Sequence, residues 1–455
     1  MKKLIYILIG LIATGILSCS EDYLEPELQQ TKRFENGIET KTDLHNLVKG
    51  IYDNMSAAEY YGRDFIVYGE VRSDNTANDF GTGRYIEVSN FNLLQSDGYA
   101  HDTWQNIYRG IQQANIAIHA EINDTTAEAK YYKGQAYVLR GLFYFDLMRL
   151  YSTMFVSGYD YGVPIVNEFD NTADNGSPSR ASLEDTKIQI EGDLLTAIEM
   201  MSSAYDGTKQ EISVDAAKAL LSRYYLYTNQ HLEAMELAYD IIQNPNYNYK
   251  YTTAINYVTQ WTRDESNESI FELAYTNTDK LNTTSVGYMW NPYGYGDLSF
   301  TTDLLSTYGP NDVRYPYTES GIPVRYQDLN GNNNIRIIDY PEVVLNYVEA
   351  AYHEGDPNGD ALIYLNELAD VRDLTGDAPD YTSLNESIIL EERRKELAAT
   401  GQRYFDLLRT EQDIPAVPDS HLNSAIPYGD PVCAFPIPEA ELDANPNIKN
   451  QNPGY

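Results

Sequence analysis

Gly134-Gln-Ala-Tyr-Val-Leu-Arg-Gly-Leu-Phe-Tyr-Phe-Asp-Leu-Met-Arg-Leu-Tyr151 is the stretch that decides the fold. It closes a Pro-free run from Ala127, read as one helix. Val138, Leu139, Leu142, Phe143, Phe145, Leu147, Met148 and Leu150 leave that helix almost no polar face. A helix apolar nearly all round is buried within a helical assembly.

Working outward, helical periodicity also covers 41–55, 101–122, 182–201, 214–227 and 232–243, where Asn244-Pro245-Asn246 stops it. Between 60 and 98 the chain reads as loop. From 247 to 334 the periodicity fades and Gly, Asn and Thr rise, with short β-like runs such as 269–275. Helix returns at 341–352, with Pro341 suited to a first turn, and continues at 358–373, 384–400 and 403–409. From Ile414 the chain is Pro-punctuated coil. The class is mainly α.

The chain has 455 residues, ample for a large core. It carries 68 acidic against 32 basic residues, a net charge of −36 spread along its length. Such a surface repels nucleic acid and anionic lipid, so neither is expected as a partner. Cys19 and Cys433 are the two cysteines, and there are six His. No zinc site of conventional spacing can be written, and no metal or cofactor is expected. Tyrosine is the outlier, with 41 Tyr against 12 Phe and 3 Trp. Its apolar ring with a polar tip suits sugar contact, although most of the 41 are expected to replace Phe in packing.

Met1 to Cys19 has a basic start in Lys2 and Lys3 and an apolar run from Leu4 to Leu17. That run is short for a membrane span, so it reads as an export signal. Its end, Ile16-Leu17-Ser18-Cys19, resembles a bacterial lipobox. The resemblance implies cleavage before Cys19 and acylation of its thiol, with residues 1–18 removed. The alternative is an ordinary secretory signal with a chance Cys. Ser20-Glu21-Asp22 resembles the signal that sends some Bacteroidetes lipoproteins to the outer face of the outer membrane. Residues 19–40 lack periodicity and read as a tether. An acylated Cys19 leaves Cys433 a free thiol, expected to be buried.

Residues 216–227 followed by 232–238 resemble a tetratricopeptide helix pair, as do 345–351 followed by 359–365. Four segments together resemble the SusD/RagB family of outer-membrane lipoproteins. They are 134–151 followed by Gly162-Val-Pro-Ile-Val166; Ala216-Ala-Lys-Ala-Leu-Leu-Ser-Arg-Tyr-Tyr-Leu-Tyr227; Leu390-Glu-Glu-Arg-Arg-Lys-Glu-Leu397 with Gly401-Gln-Arg-Tyr-Phe-Asp-Leu-Leu-Arg409; and Phe435-Pro-Ile-Pro-Glu-Ala-Glu-Leu442 with Gln451-Asn-Pro-Gly-Tyr455. Asp339-Tyr-Pro-Glu-Val-Val-Leu345 and Ala398-Ala399-Thr400 depart from the family pattern. The resemblance implies a SusD-like domain over 41–455, mainly α, with tetratricopeptide-like pairs and a loop-rich ligand-binding region. Its two parts are 41–246 and 247–455.

The family resemblance implies a non-enzymatic role. Such a protein binds oligosaccharides, or peptides, at the outer-membrane surface. It acts as lid on a SusC-like TonB-dependent transporter. A surface glycosidase or a protein-binding helical scaffold are the rival classes. A glycosidase needs only paired carboxylates, a signal without value among 68 acids.

A sugar site needs aromatic faces beside hydrogen bonders. Tyr288-Met-Trp290-Asn291-Pro-Tyr293-Gly-Tyr295 offers four aromatics within eight residues. The alternative is that this loop packs its aromatics on itself. A second candidate is the polar segment with Asp74, Asn75, Asn78, Asp79, Arg84, Tyr85 and Asn92. Trp104 is expected in the core, and Trp261 stays open between site and core. Asp328, Asn330, Asn332 and Asp339 fall at calcium-loop positions 1, 3, 5 and 12, but Asn333 replaces the usual Gly and an Asn/Gly turn accounts for the run. Glu392, Arg393, Glu396, Arg403, Asp406 and Arg409 read either as an exposed salt-bridged face or, by the resemblance, as a partly buried network.

Overall fold

The computed structural model describes residues 37–78, 81–168, 177–245, 249–417 and 422–455. The stretch read as an export signal, Cys19, Asp79 and most of the segment read as a tether lie outside the described residues. Sixteen α-helices and two two-stranded antiparallel sheets occur among the described residues. The helices are α1 (Lys41–Met55), α2 (Asp64–Val71), α3 (Ile86–Ser89), α4 (Gly98–His119), α5 (Ala127–Tyr151), α6 (Leu183–Met200), α7 (Val214–Tyr227) and α8 (His231–Gln243). They continue as α9 (Tyr257–Gln260), α10 (Val286–Trp290), α11 (Thr302–Ser306), α12 (Tyr340–His353), α13 (Ala361–Val371), α14 (Glu386–Glu396), α15 (Arg403–Arg409) and α16 (Glu439–Ala444). Strand β1 (Thr76–Asn78) pairs with β3 (Leu298–Phe300), and β2 (Ser269–Leu273) with β4 (Ile335–Asp339). No helix among the described residues is long and apolar enough to cross a membrane.

Helix α5 runs over the residues its sequence marks. Thr126 caps it, its Oγ1 accepting from the Ala129 N–H at 3.3 Å. Every residue from Val138 to Tyr151 is buried. The helix lies between α4 and α6. Its contact with α4 is close: a Cβ on Gly110 would sit 2.5 Å from the Phe143 ring. Ser213 caps α7 in the same way, accepting from the Ala216 N–H at 3.1 Å. The tetratricopeptide-like pairs are present as α7–α8 and α12–α13, and α12 packs on α8 and α14.

The C-terminal segment solves a problem that α5 creates. The last carbonyls of a helix have no partner within it. Here the Phe435 N–H donates to the Leu150 carbonyl at 2.7 Å. The Asn452 amide donates to the carbonyls of Tyr151, at 2.8 Å, and Phe435, at 2.6 Å. The coil after Ile414 is thereby tied to the central helix. Cys433 within it is a buried free thiol, as expected, and burial pushes it up to about 11.

The charged motif follows the family reading and not the exposed one. Glu392, Arg393, Glu396, Asp406 and Arg409 are buried and Arg403 is half-buried, so the motif is a network set into the protein and not a solvated face. Arg393 donates to Asn346 Oδ1 at 2.8 Å and Asp406 Oδ1 at 3.3 Å. Arg409 holds Asp406 at 2.7 Å and Glu349 at 2.8 Å. Two further buried pairs are bidentate: Arg140 on Asp193 joins α5 to α6, and Arg223 on Glu342 joins α7 to α12. Three of the four family-like segments therefore lock to a neighbouring element through a buried guanidinium, which fixes geometry by its planar fork. Burial alone would raise Glu392, yet Arg314 and Lys395 hold it down at about 2.

Candidate functional site

Strands β1 and β3 bring the two sequence candidates together. Their register sets Thr76 opposite Phe300, Ala77 opposite Ser299 and Asn78 opposite Leu298. The 74–85 segment thus lies beside the loop that follows α10.

Each segment splits into an inner and an outer half. On the inner side, Asp74 is buried and accepts from Arg403 Nε at 2.7 Å and Nη2 at 2.8 Å. Burial would raise Asp74, but Arg403 and Arg394 lower it. Asn75 Oδ1 accepts from Arg394 Nε at 2.8 Å. Tyr85 is buried, its hydroxyl donating to Asp64 Oδ1 at 2.5 Å. Trp290 is 2 % exposed, layered with Phe300 and Tyr326 at centroid distances of 6.1 and 6.4 Å. Asn291 is buried as well, and its Oδ1 accepts from the Tyr293 N–H at 3.0 Å, tightening the turn. Asp74, Asn75, Tyr85, Trp290 and Asn291, expected to face a ligand, therefore face inward. Asp74, Asn75 and Tyr85 place a polar atom on neighbours brought in by α15, α14 and α2, Asn291 bonds within its own loop, and Trp290 packs through its ring.

The outer half is small and well defined. Tyr293 is 69 % and Tyr295 39 % exposed. The Tyr295 N–H donates to the Tyr288 carbonyl at 2.9 Å, and Tyr288 and Tyr295 meet edge to face at 4.8 Å. Gly294 allows this fold-back, since a Cβ there would lie 2.6 Å from the Tyr288 oxygen. The Arg84 guanidinium sits 3.6 Å from the centroid of the Tyr295 ring. Its Nη1 donates to Asp297 Oδ2 at 2.9 Å. A held guanidinium on a tyrosine face fixes the ring without hiding it. The patch can offer aromatic faces, phenolic hydroxyls and guanidinium donors, while the Asp297 carboxylate is buried and serves to hold Arg84. Asp297 was not a sequence candidate. It stands two residues past the aromatic run and pairs with a residue 213 positions away, so no local signal marks it.

Two other expectations are settled by position. Trp104 is in the core, its Nε1–H reaching Glu441 at 3.4 Å. The 328–339 run is a turn: Asp328 accepts from the backbone N–H groups of Asn330 at 2.8 Å and Asn332 at 3.1 Å, and Gly331 takes a positive φ of 68°. Asp339 lies instead at the end of β4 beside Arg336. No cluster of three or more metal-ligating side chains occurs among the described residues.

A family described as "starch-binding associating with outer membrane" matches residues 22–226, and the SusD family matches residues 238–455. The chain belongs to the SusD/RagB family. SusD-like protein P2 of Formosa agariphila is 25 % identical over 523 residues, spanning 100 % of both chains. A SusD superfamily protein from Bacteroides thetaiotaomicron is 29 % identical, covering 91 % of this chain and 100 % of its own, with a TM-score of 0.83. A solved structure from Bacteroides vulgatus is 30 % identical, covering 92 % and 100 %, also with a TM-score of 0.83. The SusD fold thus agrees with the helical architecture described above.

Proposed function

We propose that the protein captures oligosaccharides at the cell surface and hands them to a SusC-like TonB-dependent transporter, acting as its lid. One observation carries the binding step. The β1–β3 pair sets exposed Tyr293 and Tyr295 beside Arg84, which buried Asp297 holds in place, an aromatic face with guanidinium and phenol hydrogen bonders at its edge. Pyranose rings lay their C–H faces on such rings while charged groups read the hydroxyls. Tyr288, Tyr293 and Tyr295 with Arg84 make the contact. Asp74, Asn75, Tyr85, Trp290 and Asn291 hold the two loops in place. Membership of a family described as starch-binding and outer-membrane-associated supports the ligand class and the address. Acylation of Cys19 anchors the chain, and a tether to about residue 40 keeps the lid beside its barrel at high effective concentration. No bond is broken in this role.

The test is migration of the mature protein through native gels cast with different polysaccharides. Retardation by at least one glycan, without new reducing ends, is the expected result. Reducing ends would identify an enzyme instead, and heat only with peptide mixtures in calorimetry would change the ligand class. Co-purification with a TonB-dependent transporter from detergent-solubilised outer membranes tests the lid role.

A further inference from the structure

A hollow of about 370 Å³ lies between the 251–260 segment and the 263–267 loop, in a different part of the chain from the Tyr293–Tyr295 patch. Its size falls at the low end of the roughly 300–1,000 Å³ typical of small-ligand sites. Gln260, 4 % exposed, lines it. The Gln260 Oε1 accepts from Thr252 Oγ1 at 3.0 Å, Ser266 Oγ at 3.3 Å and Arg336 Nη1 at 3.2 Å. Three donors on one oxygen fix which way the amide points. Its Nε2 is left buried with no hydrogen-bond partner among the described residues, and so is the hydroxyl of Tyr251, which also lines the hollow. Buried donors without partners are rare in folded proteins, because the desolvation cost goes uncompensated.

The surroundings are rigid. The Trp261 ring lies against the guanidinium groups of Arg325 and Arg336, at 4.0 and 3.9 Å. Glu265 takes a positive φ of 52°, with its N–H held by Glu272 Oε1 at 2.6 Å. Lys209 Nζ donates to the Ser266 carbonyl at 2.6 Å. A loop held this way is pre-organised for binding.

We propose that this hollow is a second carbohydrate-binding site, taking one or two neutral sugar rings. The unpaired floor groups are donors, so the ligand must bring acceptor oxygens. The rim mixes donors and acceptors, from Asn256, Arg263, Ser266 and Asn267, and sugar hydroxyls act as both. Asp264 and Glu265 at the rim disfavour an anion, and the donor floor disfavours a cation.

The test uses the mature chain carrying Tyr293→Ala and Tyr295→Ala, so that the surface patch is removed and this site is read alone. Protein labelled with ¹⁵N at glutamine is titrated with the methyl glycosides of glucose, galactose, mannose and xylose. The Gln260 side-chain signal is identified by its loss in Gln260→Glu, which keeps the oxygen that Thr252, Ser266 and Arg336 use. A saturable shift of that signal with at least one glycoside is expected. Tyr251→Phe should weaken the affinity about fivefold without lowering the melting temperature, since the hydroxyl bonds nothing in the protein. Asn256→Trp should abolish the shift by filling the rim. A signal unmoved across the panel, a shift that survives Asn256→Trp, or a shift with triglycine alone would overturn the proposal. Because the readout is at Gln260, it is independent of whether the surface patch retains polysaccharide.

Discussion

The inner and outer halves of the candidate site are built from the same two stretches of chain, yet they obey different rules. Asp74, Asn75, Tyr85, Trp290 and Asn291 are buried, and four of the five place a side-chain polar atom on a neighbour. Tyr293 and Tyr295 are exposed, and Tyr295 is braced by Arg84. Residue types alike on paper are divided by burial into a frame and a contact surface. The frame should govern stability and the surface should govern binding, so substitutions can break the comparison or sharpen it.

Trp290→Ala is the most severe. It empties the layer between Phe300 and Tyr326 and should cost about 3–5 kcal/mol in urea unfolding. Asp74→Ala leaves Arg403 and Arg394 without their buried carboxylate and should cost about 3 kcal/mol.

The pH dependence of stability comes next. Burial lifts Glu70 and Asp215 to about 7 and Asp339 to about 6, all above their unfolded values. Between about pH 4 and 7 these three groups therefore hold more protons in the folded protein than in the unfolded chain, and their contribution to stability falls as pH rises through that window. Glu70→Gln should remove its share, worth up to about 3 kcal/mol at pH 8, and flatten the alkaline limb of a melting-temperature profile. The acid limb belongs to the paired network: Glu392, held at about 2, gives stability that is lost as pH falls below its unfolded value of 4.5.

Tyr85→Phe loses one buried bond to Asp64 and should cost about 1–2 kcal/mol in the same unfolding assay. Tyr293→Ala and Tyr295→Ala should each stay within about 0.5 kcal/mol of the parent, as exposed substitutions do.

How much of this was legible in the sequence follows from range. Helices α1, α5 and α7 fall where periodicity and capping residues set them, and α15 where periodicity alone does, because those signals are local. Helix α2 falls in a stretch that reads as loop. It is eight residues long, all eight buried, with Arg63 at its N-cap position making no side-chain capping bond, so neither amphipathic spacing nor a cap announces it. It survives through tertiary contact, and at Gly69 a Cβ would lie 1.9 Å from the Gly401 carbonyl oxygen. The β1–β3 pair joins three-residue strands more than 200 positions apart, too short for a period to show. The spacing of Glu392, Arg393 and Glu396 is that of any salt-bridged surface helix. Only the arrival of Glu349, Asn346, Arg314 and Arg372 from elsewhere makes it interior. Both segments of the candidate site stand out by residue type, but which of their residues face outward depends on these long-range partners.

The central claim is that the outer pair binds glycan while the inner residues only hold it. It is tested most directly by calorimetric titration of a retarding polysaccharide into the parent, the Tyr293→Ala/Tyr295→Ala protein and Tyr85→Phe, with melting temperatures recorded for all three. The account predicts at least a tenfold loss of affinity in the double variant at an unchanged melting temperature, about 1.4 kcal/mol or more of binding energy. Tyr85→Phe should melt lower and bind as the parent does. Parental affinity in the double variant would contradict the account.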